Sequence, residues 1–268
     1  MPDAAPRTTL EDITPAACDE IQRRIDAIAR EEGIEVLFAI ESGSRAWGFP
    51  SSDSDYDVRF VYVHPRDWYL SLQPGRDVIE RPIVDDFDVS GWDLRKALNL
   101  MLKSNPVLLE WLTSPIRYRW TERAERLRTL AQQATYQTPC AHHYWKLARR
   151  QWEPDAGEIK IKRYLYTLRA ALALHWLDQK EGQPPPMNVF DLLDGVSLSA
   201  GANDALLKLI ARKAQGRERG VIAKDPALDA VIDGAFAWAE ANANAAVVRA
   251  NLRDEAQAFF RVTVNGKD

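Results

Sequence analysis

Asp55 and Asp57 flank Tyr56 and open an apolar run, Val58 to Val63, and ten residues separate them from a Gly43-Ser44 pair. Alternate residues of an extended chain point to one face, so the two carboxylates would be aimed into one small volume. Like charges that close repel unless a cation lies between them. Magnesium takes hard carboxylate oxygens and keeps several waters, so two or three Asp side chains suffice to seat it. Gly43 permits close approach of the backbone, and Ser44 adds a hydroxyl beside main-chain N–H groups that a phosphate can use. A metal seat beside a phosphate-binding turn is the equipment of phosphoryl transfer, which needs charge neutralisation and in-line alignment more than covalent help.

These residues need elements to hold them. Thr14 to Glu32 carries Ile21, Ile25, Ile28 and Ala29 at helical spacing, with Thr14-Pro15 as its start and Gly33 as its stop. Val36 to Ile40 reads as a strand running into Gly43-Ser44, Arg45 to Gly48 as one helical turn, and Tyr56 to Val63 as the strand behind Asp55. Asp77 to Val84 and Phe87 to Ser90 are further strand candidates. From Asp93 the character changes. The spacing predicts helices from Asp93, from Asn105-Pro106, and over 121–134, 139–152, 158–180, 203–214 and 226–250, with a break at the prolines of 182–186 and a charged loop over 212–220.

Composition narrows the class. The 268 residues are 46% hydrophobic and 28% charged, ordinary for a globular chain. No apolar stretch approaches the length that spans a bilayer, and the start resembles no signal peptide, so a cytoplasmic protein without a membrane partner is expected. Cys18 and Cys140 imply neither a disulfide framework nor a zinc cluster. The net charge of −4 hides an asymmetry: residues 1–94 carry 9 Lys and Arg against 20 Asp and Glu, whereas residues 95–180 carry 16 against 7. An acidic part followed by a basic part suits a cation and a polyanion, although solvated helix faces would show similar composition.

Gly43-Ser44, the ten-residue spacing and Asp55-Tyr56-Asp57-Val58 resemble the signature of the DNA polymerase β-type nucleotidyltransferase superfamily. The wider stretch Gly-Ser-Arg-Ala-Trp-Gly with Ser-Asp-Ser-Asp-Tyr-Asp is similar to one branch, the RNA-repair-associated (RlaP-like) nucleotidyltransferases. That branch is echoed in Gly91-Trp92-Asp93-Leu94-Arg95-Lys96-Ala97-Leu98 and in Ser104-Asn105-Pro106 followed by Glu110-Trp111-Leu112. The resemblance implies an α+β fold: a small mixed β-sheet, palm-like nucleotidyltransferase domain over residues 1–118, then an all-helical domain over 119–268.

It also implies roles. Asp55, Asp57 and a third carboxylate would hold two Mg2+ ions, with Mn2+ as a substitute. The third is Asp88 or Asp86; Asp88 is favoured because it lies just ahead of a helix containing Lys96, and it would also take the proton from an attacking hydroxyl. Gly43, Ser44 and Arg45 would meet the nucleotide's phosphates. Lys162, Tyr166 and Arg169 fall at i, i+4 and i+7 of one helix, and Lys162 and Tyr166 are the better candidates for triphosphate or acceptor, ahead of Arg163. Asp53 reads as a turn residue, and Trp47 is the tryptophan placed to stack on a base. The activity implied is transfer of an NMP from an NTP such as ATP to a hydroxyl, with release of diphosphate. An RNA end is the first acceptor; a protein hydroxyl, as in antitoxin-like members, a small molecule, or a non-catalytic nucleotide-binding module are the alternatives. Oligomeric state and base preference are not legible.

Overall fold

The first helix starts and stops where its residue types dictate. The Thr14 hydroxyl accepts from the Ala17 N–H at 3.3 Å, Pro15 occupies the first turn, and Gly33 ends it at φ +61°. The computed structural model describes residues 8–73, 75–134, 137–180, 182–215, 220–242 and 252–266. These group into two compact units that alternate along the chain: residues 8–46, 55–134 and 252–266 in one, 47–54 and 137–242 in the other.

The first unit holds α1 (Pro15–Glu32), β1 (Glu35–Glu41), the one-turn α2 (Gly43–Ala46), β2 (Tyr56–Val63), α3 (Arg66–Tyr69), β3 (Val78–Glu80), β4 (Phe87–Asp93), α4 (Leu94–Leu102), α5 (Pro106–Leu112), β5 (Arg117–Trp120) and α6 (Glu122–Ala131). Its five strands lie in the order β3-β4-β2-β1-β5. Ile21, Ile25 and Ile28 of α1 are buried with Val36, Val58, Phe60 and Tyr62 of the sheet. Each such side chain contributes about 1.5–3 kcal/mol by leaving water.

Strand direction decides where the chemistry sits. β2 runs antiparallel to β1 and parallel to β4. The end of β1 and the beginnings of β2 and β4 therefore meet at one edge of the sheet, with Glu41 beside Val58 and Asp57 beside Asp88.

Two expected elements differ. The strand expected over Asp77 to Val84 is confined to Val78–Glu80. Pro82 has no N–H to give a ladder, and Asp85 and Asp86 turn the chain at φ 53° and 64°. The helix expected from Glu158 begins only at Ile161, because Glu158–Lys160 pairs instead with Val221–Ala223. β5 was not expected at all, although Arg117-Tyr118-Arg119-Trp120 alternates as a half-buried strand should.

The second unit comprises α7 (Gln137–Arg149), β6 (Glu158–Lys160), α8 (Ile161–Gln179), α9 (Val189–Gly195), α10 (Ala200–Ala214), β7 (Val221–Ala223) and α11 (Pro226–Ala241). α8 is its central helix, buried from Ile161 to Leu177 along most of its circumference, and its Tyr164 hydroxyl donates to Asp229 Oδ1 at 2.6 Å. The fold is thus α+β, with a mixed sheet and helices in one unit and helices with a two-stranded ribbon in the other. The last described helix, α12 (Leu252–Val264), groups with the sheet unit. The helix expected over 226–250 is met as far as Ala241; residues 243–250, like 216–219 of the expected charged loop, lie outside the described residues. Neither Cys18, which is partly buried, nor the buried Cys140 forms a disulfide. Among the described residues no helix is long and apolar enough to cross a membrane.

Candidate active site

Asp57 and Asp88 are register partners on the parallel strands β2 and β4, so their carboxylates leave the same face side by side. A single guanidinium nitrogen joins them: Arg59 Nη2 lies 3.2 Å from Asp57 Oδ1 and 2.7 Å from Asp88 Oδ2. Its other nitrogen, Nη1, donates to the main-chain oxygens of Asp88 at 2.8 Å and Val58 at 3.1 Å. The three side chains are 26%, 28% and 18% exposed in the order Asp57, Asp88, Arg59, so the pair is partly shielded yet open to an incoming group.

The Gly43 turn abuts this pair. Gly43 sits at φ +58°, and a Cβ placed on it would lie 1.8 Å from Asp57 Oδ2. Only glycine allows both the left-handed backbone and the close approach. Ser44 follows, 5% exposed, in the one-turn α2. Arg45 donates from Nε to the Asp55 main-chain oxygen at 3.2 Å, and its guanidinium lies 4.2 Å from the centre of the Tyr56 ring. The turn and the start of β2 are thereby tied together.

Behind Asp57 stands Glu41, the last residue of β1 and fully buried. Its Oε2 accepts from the Tyr118 hydroxyl at 2.7 Å and its Oε1 from the Asp57 N–H at 3.0 Å. Burial pushes the Glu41 carboxyl up to about 7, against the downward pull of those two donors. Ser42 N–H donates to the Asp57 carbonyl at 2.8 Å, which completes the backbone support of the turn.

The remaining expected residues are dispersed. Asp55 is exposed, one residue before β2. Asp86 sits in a turn at φ 64°, not on the strand; its carbonyl accepts from the Tyr56 N–H at 2.8 Å. Asp53 is an exposed turn residue. Lys162 and Tyr166 belong to the helical unit, with the Lys162 amine exposed and 5.9 Å from the Tyr166 ring centre. The expected shared face of α8 dips inward: Tyr166 packs edge-on to Trp47 at 4.9 Å, and Arg169 is 2% exposed. Arg169 donates to the Met187 carbonyl at 3.0 Å and lies 4.5 Å from the centre of the Trp47 ring, so Trp47 serves packing in this unit. Arg163 pairs with Glu153 at 2.6 Å.

The donor set suits a hard cation. Two carboxylates already share one positive charge, and their oxygens are the ligand type that magnesium prefers. Among the described residues no three Asp, Glu, His or Cys side chains come together as a metal cluster, so the fit rests on Asp57 and Asp88.

Glu41 and Arg59 escaped sequence reasoning. The signals were present: Arg59 continues the period-two series of Asp55 and Asp57, and Glu41 is an acid ending an apolar run immediately before Ser42-Gly43.

Residues 18–262 match the RlaP family, described as an RNA repair pathway DNA polymerase beta family. The chain is 46% identical over 203 residues to the uncharacterized protein YcgL of Bacillus subtilis (strain 168), covering 74% of this chain and 78% of that one. It is also similar to the crystal structure of a nucleotidyltransferase-like protein from Exiguobacterium sibiricum 255-15, at 12% identity and a TM-score of 0.28, over 92% of this chain and 81% of the other. With the Gly43 turn and the paired aspartates in place, the match over nearly the whole length identifies the chain as a member of the RlaP family of polymerase β-like nucleotidyltransferases.

Proposed function

We propose that the protein is a metal-dependent nucleotidyltransferase that moves an NMP from an NTP to a hydroxyl, with an RNA end as acceptor. The observation that carries this reading is the parallel register that sets Asp57 beside Asp88 next to the Gly43 turn. Asp57 and Asp88 would hold Mg2+, with Asp55 entering from the adjoining loop when the nucleotide is bound. When bound, the metal would supply charge neutralisation at the transferring phosphoryl group.

The protein's own groups would do the rest. The Gly43 backbone and the Ser44 hydroxyl receive the outer phosphates. Arg45, stacked on Tyr56, fixes the end of the turn and adds a positive charge beside it. Asp88 takes the proton of the acceptor hydroxyl as that oxygen bonds to the α-phosphorus. The bond from the α-phosphorus to the bridging oxygen breaks at the opposite side, and diphosphate leaves with the electron pair. Glu41 holds the Asp57 main chain from behind and does not touch the reacting atoms. The RNA end as acceptor is supported by the family's description and by the 16 Lys and Arg against 7 Asp and Glu in residues 95–180.

Incubation with α-32P-labelled NTPs, Mg2+ and RNAs bearing a free 3′ or 5′ hydroxyl tests the reading. Label on RNA supports it. Label that instead moves to a protein or a small molecule reassigns the acceptor, and no transfer to any acceptor overturns it.

A further inference from the structure

We propose that Arg59 is the resident counter-cation of the Asp57–Asp88 pair and makes entry of a divalent ion conditional on a bound triphosphate. This rests on the nucleotidyltransferase reading above. The guanidinium takes the place that a bridging cation would take, with one nitrogen in reach of Asp57 Oδ1 and Asp88 Oδ2. It is no wandering surface arginine: Nη1 is held by two main-chain oxygens, those of Val58 and Asp88. An arginine keeps its proton under all working conditions, so this positive charge is permanent.

Two consequences follow from simple electrostatics. Without metal, Arg59 neutralises half the charge of the pair and holds the two carboxylates in register, so the site is assembled before any ligand arrives. For a lone divalent ion, however, the site offers two negative charges and a positive one, and the positive one opposes it at close range. Pre-alignment favours the ion modestly, whereas a like charge in a partly shielded site disfavours it strongly; the repulsion wins. A triphosphate lodged at the Gly43 turn brings several negative charges and reverses the balance. Asp57 Oδ2, the oxygen turned toward Gly43, is the one that Arg59 does not engage and that faces this incoming charge. Arg59 thus acts as a positioning residue that sets the order of binding, nucleotide with metal rather than metal alone.

Mn2+ binding, read by electron paramagnetic resonance of the free ion, tests this without turnover. The wild type, Arg59→Met, Arg59→Gln and Arg59→Lys are each titrated with Mn2+ alone, and with Mn2+ plus α,β-methylene-ATP. The two neutral variants are expected to bind Mn2+ alone at least about tenfold tighter than the wild type, with the gap shrinking once the nucleotide analogue is present. They are also expected to melt at lower temperature without metal and to gain more on adding Mn2+ than the wild type does. Arg59→Lys keeps the charge but loses the fork and is expected to bind Mn2+ alone as weakly as the wild type. Folded neutral variants that bind Mn2+ alone no tighter than the wild type overturn the proposal. If the neutral variants do not fold even with Mn2+, a tenfold gain in Arg59→Lys overturns it equally. A wild type that binds no Mn2+ with the analogue sinks the nucleotidyltransferase reading itself, and this inference with it.

Discussion

A Cβ on Gly43 would fall 1.8 Å from the Oδ2 atom of Asp57, with Gly43 itself at φ +58°. The turn and the carboxylate therefore share a space that admits no side chain. Gly43→Ala must push Asp57 away or twist the turn. A loss of about 1–3 kcal/mol in stability is expected from the strained backbone and the displaced contact. Activity should fall further than stability, by about a hundredfold or more, because misplacement of about an ångström is enough for that. Thermal melting together with initial rates checks both; an alanine variant with wild-type rates would show that this approach is not functional.

Tyr118 matters through Glu41. Its hydroxyl donates at 2.7 Å to a carboxyl that is fully buried, so Tyr118→Phe leaves Glu41 with one donor fewer inside the fold. The expected cost is about 1–3 kcal/mol, measured by chemical denaturation. Combining it with Glu41→Gln should cost less than the sum of the two single changes, because the pair acts as one unit. Strict additivity would mean that the hydrogen bond contributes nothing.

Asp93 supplies a pH dependence of stability well away from the Asp57–Asp88 pair. It caps α4 by accepting from the Arg95 N–H at 2.8 Å, and it accepts from the Tyr69 hydroxyl. Burial raises its carboxyl above the usual range, against the pull of Tyr69, the Arg95 N–H and the positive charges of His64 and Arg95. A raised value in the folded chain means that the neutral form is the one the fold prefers. The stability Asp93 contributes is complete below its unfolded value, near 3.8, and is lost as pH climbs through the higher folded one. Asp93→Asn keeps the cap through its one carbonyl oxygen, places an N–H donor where Oδ2 accepted from Tyr69, and cannot ionise. The lost acceptor lowers stability by a constant amount and leaves the pH trend to report the ionisation. The melting temperature of the variant relative to the wild type should therefore rise with pH from about 4 and then level off. A difference that stays flat across that range would contradict the assignment.

The sequence made the Gly43 turn and the start of β2 readable because their parts are local. Gly43, Ser44, Asp55 and Asp57 sit within 15 residues, and their types announce a turn and a strand. Thr14, Pro15 and Gly33 bounded α1 for the same reason: capping chemistry is read from neighbours. What depended on pairing was harder. The choice between Asp86 and Asp88 turns on strand register: Asp88 pairs with Asp57 across the parallel ladder, whereas Asp86 lies in the preceding turn. Glu41 and Tyr118 are 77 residues apart and come together only because β1 is flanked by β5, a strand too short to announce itself. Arg59 was harder to find because an arginine in this place resembles a solvated strand residue, and one of its two carboxylate partners, Asp88, lies 29 residues away on β4.

The central claim is that Asp57 and Asp88, and not Asp86, form the carboxylate pair of a nucleotidyl transfer. Its most direct measurement is the rate of diphosphate release in the presence of NTP, Mg2+ and acceptor for Asp57→Asn, Asp88→Asn and Asp86→Asn, each confirmed as folded. The account predicts losses of about a thousandfold or more for Asp57→Asn and Asp88→Asn, and less than about tenfold for Asp86→Asn. An Asp88→Asn protein that keeps wild-type rates, or an Asp86→Asn protein that loses them, would contradict it.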